Sequence, residues 1–275
     1  MRGLSVMLGA ALMAGCVGTS VAQTVSDETG SLFSVDLATG RLSRVGTIGD
    51  GSPIVGLAFQ GGETSALYAL TADNRLLLFS PVAPLAILAE TAISGLPDGE
   101  ELVGIDVRPA TGDLLAVGSD SILYVIDPES GEASAIAEAF SPAIEDELVG
   151  FDFNPTVDRI RLVTDTGQNL RLNPETGLIG ANPDTGEPTI DGNAVYADAD
   201  SNVGAAAALG GAGYTNSVDG AENTVLYVID TAQGVLAIQD PPNDGVLNTV
   251  GALGVELDGP LGFDIAPTGA AYVAH

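Results

Sequence analysis

The chain has no lysine, no tryptophan, one histidine and one cysteine among its 275 residues. The histidine is His275 and the cysteine is Cys16, which sits in an apolar amino-terminal run. Serine–histidine triads, cysteine–histidine dyads and histidine-ligated zinc or iron sites therefore lack their essential members. A single cysteine also excludes an internal disulfide. Positive charge is scarce as well: eight arginines face 37 carboxylates, a formal net charge of −29. Nucleic acid and anionic membrane surfaces both require a cationic footprint, so neither is an expected partner. No glycine-rich phosphate loop lies between a strand and a helix.

Residues 1–22 carry one early positive charge, Arg2, then an apolar run from Leu4 to Ala14 and small residues after it. This is the pattern of an export signal, too short for a stable transmembrane anchor. Two processing points fit it. Met13-Ala14-Gly15-Cys16 resembles the lipobox of bacterial lipoproteins, in which Cys16 would be lipidated, and Ser20-Val21-Ala22 before Gln23 suits ordinary cleavage. The expected location is outside the cytoplasm, in the periplasm, attached to the outer membrane or extracellular, with no integral membrane span and a lipid anchor only by way of Cys16. Residues 23–30 read as a polar leader, and 31–275 as one domain.

Within that domain a unit repeats. Val55-Gly56, Val103-Gly104, Val149-Gly150, Gly211-Ala212 and Leu261-Gly262 each open a run of short period-2 strands, and these glycines are 46 to 61 residues apart. About four strands per unit at that period predict a β-propeller of five blades. A second signal keeps step with the first: Asp36/Gly40, Asp127/Gly131, Asn173/Gly177 and Asp230/Gly234 each follow an apolar strand, an Asx side chain bonding amides ahead of it while glycine closes the turn. The last opener, Leu261 to Ile265, has only one further strand after it, and residues 31–48 supply two more. The ring is thus expected to close by joining amino- and carboxy-terminal strands in one blade, which removes exposed sheet edges. Residues 180–208 read as an acidic insertion in the long third step.

The run Gly150-Phe-Asp-Phe-Asn-Pro155, Asp158-Arg-Ile-Arg-Leu162, Thr166-Gly-Gln-Asn-Leu-Arg-Leu-Asn-Pro174 and Gly213-Tyr-Thr-Asn-Ser217 resembles the domain of unknown function DUF4394, over about residues 31 to 273. The resemblance implies an exported, propeller-like domain and brings no catalytic residues with it.

Carboxylates are the chemistry that remains. Asp106, Asp152 and Asp264 stand two residues after the opener glycine in three units, where the other two have Ala58 and Gly213. One reading has them converge on an axial cation or an acid/base pair. The other, favoured by the sameness of their surroundings, has duplication copy a structural need: each bonds backbone amides or an arginine among Arg108, Arg159, Arg161 and Arg171. Asp198-x-Asp200-x-Asn202 has the alternating oxygens of a calcium loop but lacks its glycine, and has Leu209 in place of the bidentate glutamate. No cofactor other than calcium is expected. The function expected is a non-enzymatic, envelope-located binding or scaffolding propeller with a protein or glycan partner. The alternatives are a carboxylate hydrolase of the five-bladed carbohydrate-active kind and a calcium-binding surface structural protein.

Overall fold

The computed structural model describes residues 29–61, 66–145, 148–181 and 188–275. The export signal, with Cys16, and most of the polar leader lie outside the described residues. Short strands form wherever alternating apolar residues are bounded by turn chemistry, and they assemble into five sheets arranged in a ring. In chain order the strands are β1 (Ser31–Val35), β2 (Leu42–Thr47), β3 (Ile54–Phe59), β4 (Leu67–Thr71), β5 (Arg75–Phe79), β6 (Ile87–Ala92), β7 (Leu102–Val107), β8 (Leu114–Gly118), β9 (Leu123–Ile126) and β10 (Ala133–Ala135). They continue as β11 (Val149–Asn154), β12 (Arg159–Thr164), β13 (Asn169–Leu172), β14 (Val195–Tyr196), β15 (Leu209–Tyr214), β16 (Leu226–Asp230), β17 (Val235–Gln239), β18 (Val246–Ala252), β19 (Gly262–Ile265) and β20 (Ala271–Ala274). Blade I is β3 to β6, blade II β7 to β10, blade III β11 to β13, blade IV β15 to β18 with β14 added at its edge, and blade V β19, β20, β1 and β2.

Burial grades outward along each blade. The innermost strands β3 and β15 are buried at every residue, whereas outer strands such as β2 and β6 are largely exposed. Apolar side chains between neighbouring blades form five clusters, one per interface; Val55, Leu70 and Leu76 of blade I, for example, meet Ile105, Leu114 and Tyr124 of blade II. The opener glycines permit the closest approach. A Cβ on Gly262 would stand 2.3 Å from the Leu57 nitrogen, and one on Gly150 2.6 Å from the carbonyl carbon of Gly211. In each case the neighbour is the opener of the next blade. The glycine ring leaves a void of only about 10 Å³ on the axis, room for no more than about one water.

The four Asx–glycine turns form as expected: Asp36, Asp127, Asn173 and Asp230 each accept a nearby backbone N–H on Oδ1, and the closing glycines all have positive φ. Blade V closes the ring as expected too. Strand β1 pairs with β20 from Leu32↔Ala274 to Val35↔Ala271, extended by reciprocal bonds between Ser31 and His275 of 2.9 and 3.0 Å.

Two features depart from the expected unit. Blade III has three paired strands among the described residues, followed by isolated bridges between Leu172 and Ile179 and between Ala181 and Pro188. The segment read as an insertion instead contributes β14, which runs parallel to β18 and makes blade IV five-stranded. Tyr196 anchors it by donating to Asp230 Oδ2 at 2.7 Å.

Ion pairs among the described residues engage Arg75, Arg108, Arg161 and Arg171. These pairs take up Asp50, Asp73, Glu90, Asp158, Glu175 and Asp191, while the chain as a whole carries a net charge of −29, which sets up self-repulsion. We expect the thermal midpoint to rise between about 0.1 M and 1 M sodium chloride, as the screening length shortens from ~10 Å to ~3 Å. A midpoint indifferent to salt would mean that the surface charges do not oppose folding.

Candidate functional site

The inner strands bring the three repeated aspartates together. Asp106 on β7, Asp152 on β11 and Asp264 on β19 are each buried, and one carboxylate oxygen from each lies within 4.8 Å of the others. Each also reaches across a seam between blades. Asp264 Oδ2 accepts the N–H of Phe59 in blade I at 2.6 Å, Asp106 Oδ2 that of Phe153 in blade III at 2.8 Å, and Asp152 Oδ1 that of Tyr214 in blade IV at 3.0 Å. The other oxygens of Asp106 and Asp264 accept the amides of Val107 and Ile265. The glycine two residues earlier lets the strands approach closely enough for this bond. Two seams lack it because Ala58 and Gly213 have no carboxylate, and beside Gly213 the space is filled by Phe263 and Ile265 of blade V.

The arginine partners offered by the sequence are not the ones used. Arg108 Nε donates to Asp158 at 2.9 Å and its guanidinium also pairs with Glu175, while Arg161 and Arg171 pair with Asp191. Register does set Asp152 opposite Arg161. However, the long arginine side chain turns to an acceptor delivered by the segment after blade III, and the short aspartate finds the nearer amide.

Burial without an arginine pushes all three carboxyls up. Asp264 is raised to about 6 by desolvation, and Asp106 and Asp152 go well above the usual carboxylate range by desolvation and then by mutual repulsion. Asp152 hydrogen-bonds to the Asp264 carboxyl, which raises the first and lowers the second. The three carboxyls titrate together, and a proton on Asp152 is placed to be donated to Asp264. Three oxygens at this separation also form a set that a hard cation could take, if that proton left.

Above the aspartates lies a cavity of about 330 Å³. Asp106 and Asp264 line it together with Gln60, Arg108, Ser217 and Asp219, so loops of blades I, II, IV and V all contribute. The calcium candidates of the acidic segment lie elsewhere. Asp200 accepts the Asn202 amide at 2.8 Å and both the amide and hydroxyl of Thr249 at 2.6 and 2.8 Å, and Asn202 donates to the same hydroxyl at 2.9 Å. Both Asp200 oxygens thereby fasten the segment to β18, while Asp198 is exposed.

Sequence reasoning passed over a buried polar network between blades III and IV. Arg161 donates to Asn169, Asp191 and Asn243, each at 2.7 Å, and Gln239 donates to Asn169 at 3.1 Å. The visible signal was three of the chain's eight arginines within β12 and β13. Their acceptors arrive from as far as 82 residues away, which no local pattern reveals.

No curated protein matches the chain. Among solved structures, it is similar to a structural genomics protein of unknown function from Bacteroides thetaiotaomicron VPI-5482, with a TM-score of 0.54, 12% identity, and coverage of 91% of this chain and 68% of that one. A computationally designed protein, Ika4, gives a TM-score of 0.37 at 10% identity over 69% of this chain and 92% of its own, which is too low to bear on the fold. The first likeness supports the five-bladed ring and nothing about activity. The model of the domain of unknown function DUF4394 matches residues 75–275, all of the ring but strands β1 to β4, and the chain belongs to that family.

Proposed function

We propose that the domain is an exported, non-enzymatic binding module that takes a protein or glycan partner on the face above the three aspartates. The observation that carries this reading is the 330 Å³ cavity, built by loops from four blades over a floor fixed by cross-blade hydrogen bonds. Pockets that hold ligands are concave, few and set on rigid elements in this way. Export rests on the amino-terminal apolar run. Among the described residues no helix is long and apolar enough to cross a membrane.

The hydrolase alternative needs carboxyls free to exchange protons with a substrate, separated by roughly 5 to 9.5 Å with a sugar ring between them. Here both oxygens of Asp106 and of Asp264 accept backbone N–H groups, and one oxygen from each of the three carboxyls lies within 4.8 Å of the others. That disposition suits a structural clasp better than an acid/base pair. A glycan array probed with the folded domain, alongside a turnover screen on glycosides and lactones, tests the proposal. We expect binding without turnover, weakened at least about tenfold by Val218→Trp, which fills the cavity mouth from an exposed loop position. Turnover abolished by Asp106→Asn would overturn the reading.

A further inference from the structure

In a chain with eight arginines and 37 carboxylates, three arginines line one small cavity. Arg159 and Arg161 are two apart on β12 and so share a face, and Arg161 stands directly opposite Arg171 of β13. Like charges at opposed positions are destabilising, so this placement needs an acceptor. Asp191 supplies one, bonding Arg161 at 2.7 Å and Arg171 at 3.1 Å from a position that is itself buried. Among the described residues Asp191 is the one carboxylate that forms ion pairs with this group of three arginines. Arg159 donates only to the backbone carbonyls of Val157 and Asp158 among the described residues. Arg161 is 2% exposed, and its Nε is buried without a partner although both terminal nitrogens are engaged. A buried guanidinium N–H lacking an acceptor is costly, and Arg161 is one of the residues that line the cavity together with Arg159 and Arg171.

The cavity has a volume of about 190 Å³ and lies between blades III and IV, with Asn154, Tyr214 and Asn243 completing the wall around the arginines. We infer that it binds the oxyanion end of a small ligand, a carboxylate, sulfate or phosphate group held by Arg159, Arg161 and Arg171. Guanidinium forks match such groups in geometry and charge. The volume equals that of roughly six waters, enough for the anionic group and the few atoms that carry it. The overall charge of −29 disfavours a polyanion, whereas at physiological salt its field is screened beyond ~8 Å and a small anion can enter. The site is separate from the axial cavity and stands or falls independently of the partner proposed there.

Calorimetric titration of the folded domain with sodium sulfate, phosphate, acetate and glucuronate, each at millimolar concentration against chloride of equal ionic strength, tests the inference. Low concentrations avoid the general stabilisation that sulfate gives to most proteins. At least one oxyanion should bind saturably with one site per chain. Arg159→Gln, which removes no ion pair among the described residues, should weaken it by about 10- to 100-fold. Arg171→Lys, keeping the charge but losing the fork, should also weaken it, and Arg41→Gln, an equal loss of charge on blade V, should not. Preference for sulfate and phosphate would assign a tetrahedral group, and preference for acetate and glucuronate a planar one. Saturable binding by no oxyanion, or equal affinity in wild type and Arg159→Gln, would overturn the site.

Discussion

Deletion of residues 261–275 is expected to abolish cooperative folding of the entire domain rather than trim its edge. The segment holds β19 and β20, the inner half of blade V, and β20 is the only link between β19 and β1. Leu261, Phe263, Ile265 and Val273 are all 3% exposed or less and belong to the cluster shared with blade IV, while Ala266 and Ala274 belong to the one shared with blade I. At about 1.5–3 kcal/mol for each large apolar side chain fully buried, the four larger residues contribute roughly 6–12 kcal/mol. Whole domains are stable by only about 5–15 kcal/mol. The deletion also bares the edge of β1 and the glycine-lined inner strands of the neighbouring blades. Near-ultraviolet circular dichroism and urea denaturation of the truncated protein provide the check: a soluble chain with a steep two-state transition would mean that the ring is not the cooperative unit.

The ring was legible in the sequence because its determinants are local and repeated. Gly-x-Asp openers, Asx–glycine turns and a divided last unit are each readable within a few residues, and together they give blade number and closure. Blade III escaped because its strand count depends on the course of the chain beyond β13, where it leaves the sheet after one isolated bridge and pairs with blade IV instead. Leu226 to Asp230 fits either the second or the third strand of its unit by pattern; pairing with β15 on one side and β17 on the other makes it the second. At the candidate site the sequence supplied the right aspartates and left their partners open between amides and arginines. The choice is made by tertiary geometry: Phe59 is 205 residues from Asp264, and a backbone amide carries no sequence signature. The arginine cluster was likewise visible as composition, but Asp191 and Asn243 become its acceptors only once the blades are stacked.

Among the three aspartates, exchange for asparagine should be benign at one position and harmful at two. Asp106 and Asp264 each accept a backbone N–H on both oxygens, so an asparagine there must turn its own NH₂ toward a donor and leave one amide unsatisfied. We expect Asp106→Asn and Asp264→Asn to lose about 1–3 kcal/mol each, or roughly 2–12 °C in midpoint for a domain of this size. Asp152 differs, since one oxygen accepts from Tyr214 and the carboxyl, when protonated, is placed to donate to Asp264. Asparagine reproduces both roles with its oxygen and its NH₂, without a proton to lose. Asp152→Ala, which removes both, should cost as much as the other two substitutions. The same assignment fixes the sign of a pH effect. Asp264 is raised to about 6 and its two neighbours are raised well above 3.8, chiefly by burial, so the folded state retains protons that the unfolded chain releases. Stability should therefore be greatest near pH 4 and fall as pH rises through about 6 and beyond. Repulsion among the surface carboxylates acts in the same direction, so the informative quantity is the difference between variant and wild type. Urea denaturation at about pH 4.5 and about pH 7.5, on either side of that transition, should show Asp152→Asn gaining on wild type at the higher pH. If instead the three carboxylates hold a cation at neutral pH, Asp152→Asn will lose a stabilisation that wild type shows in calcium and not in chelator, and the shared-proton assignment will fail.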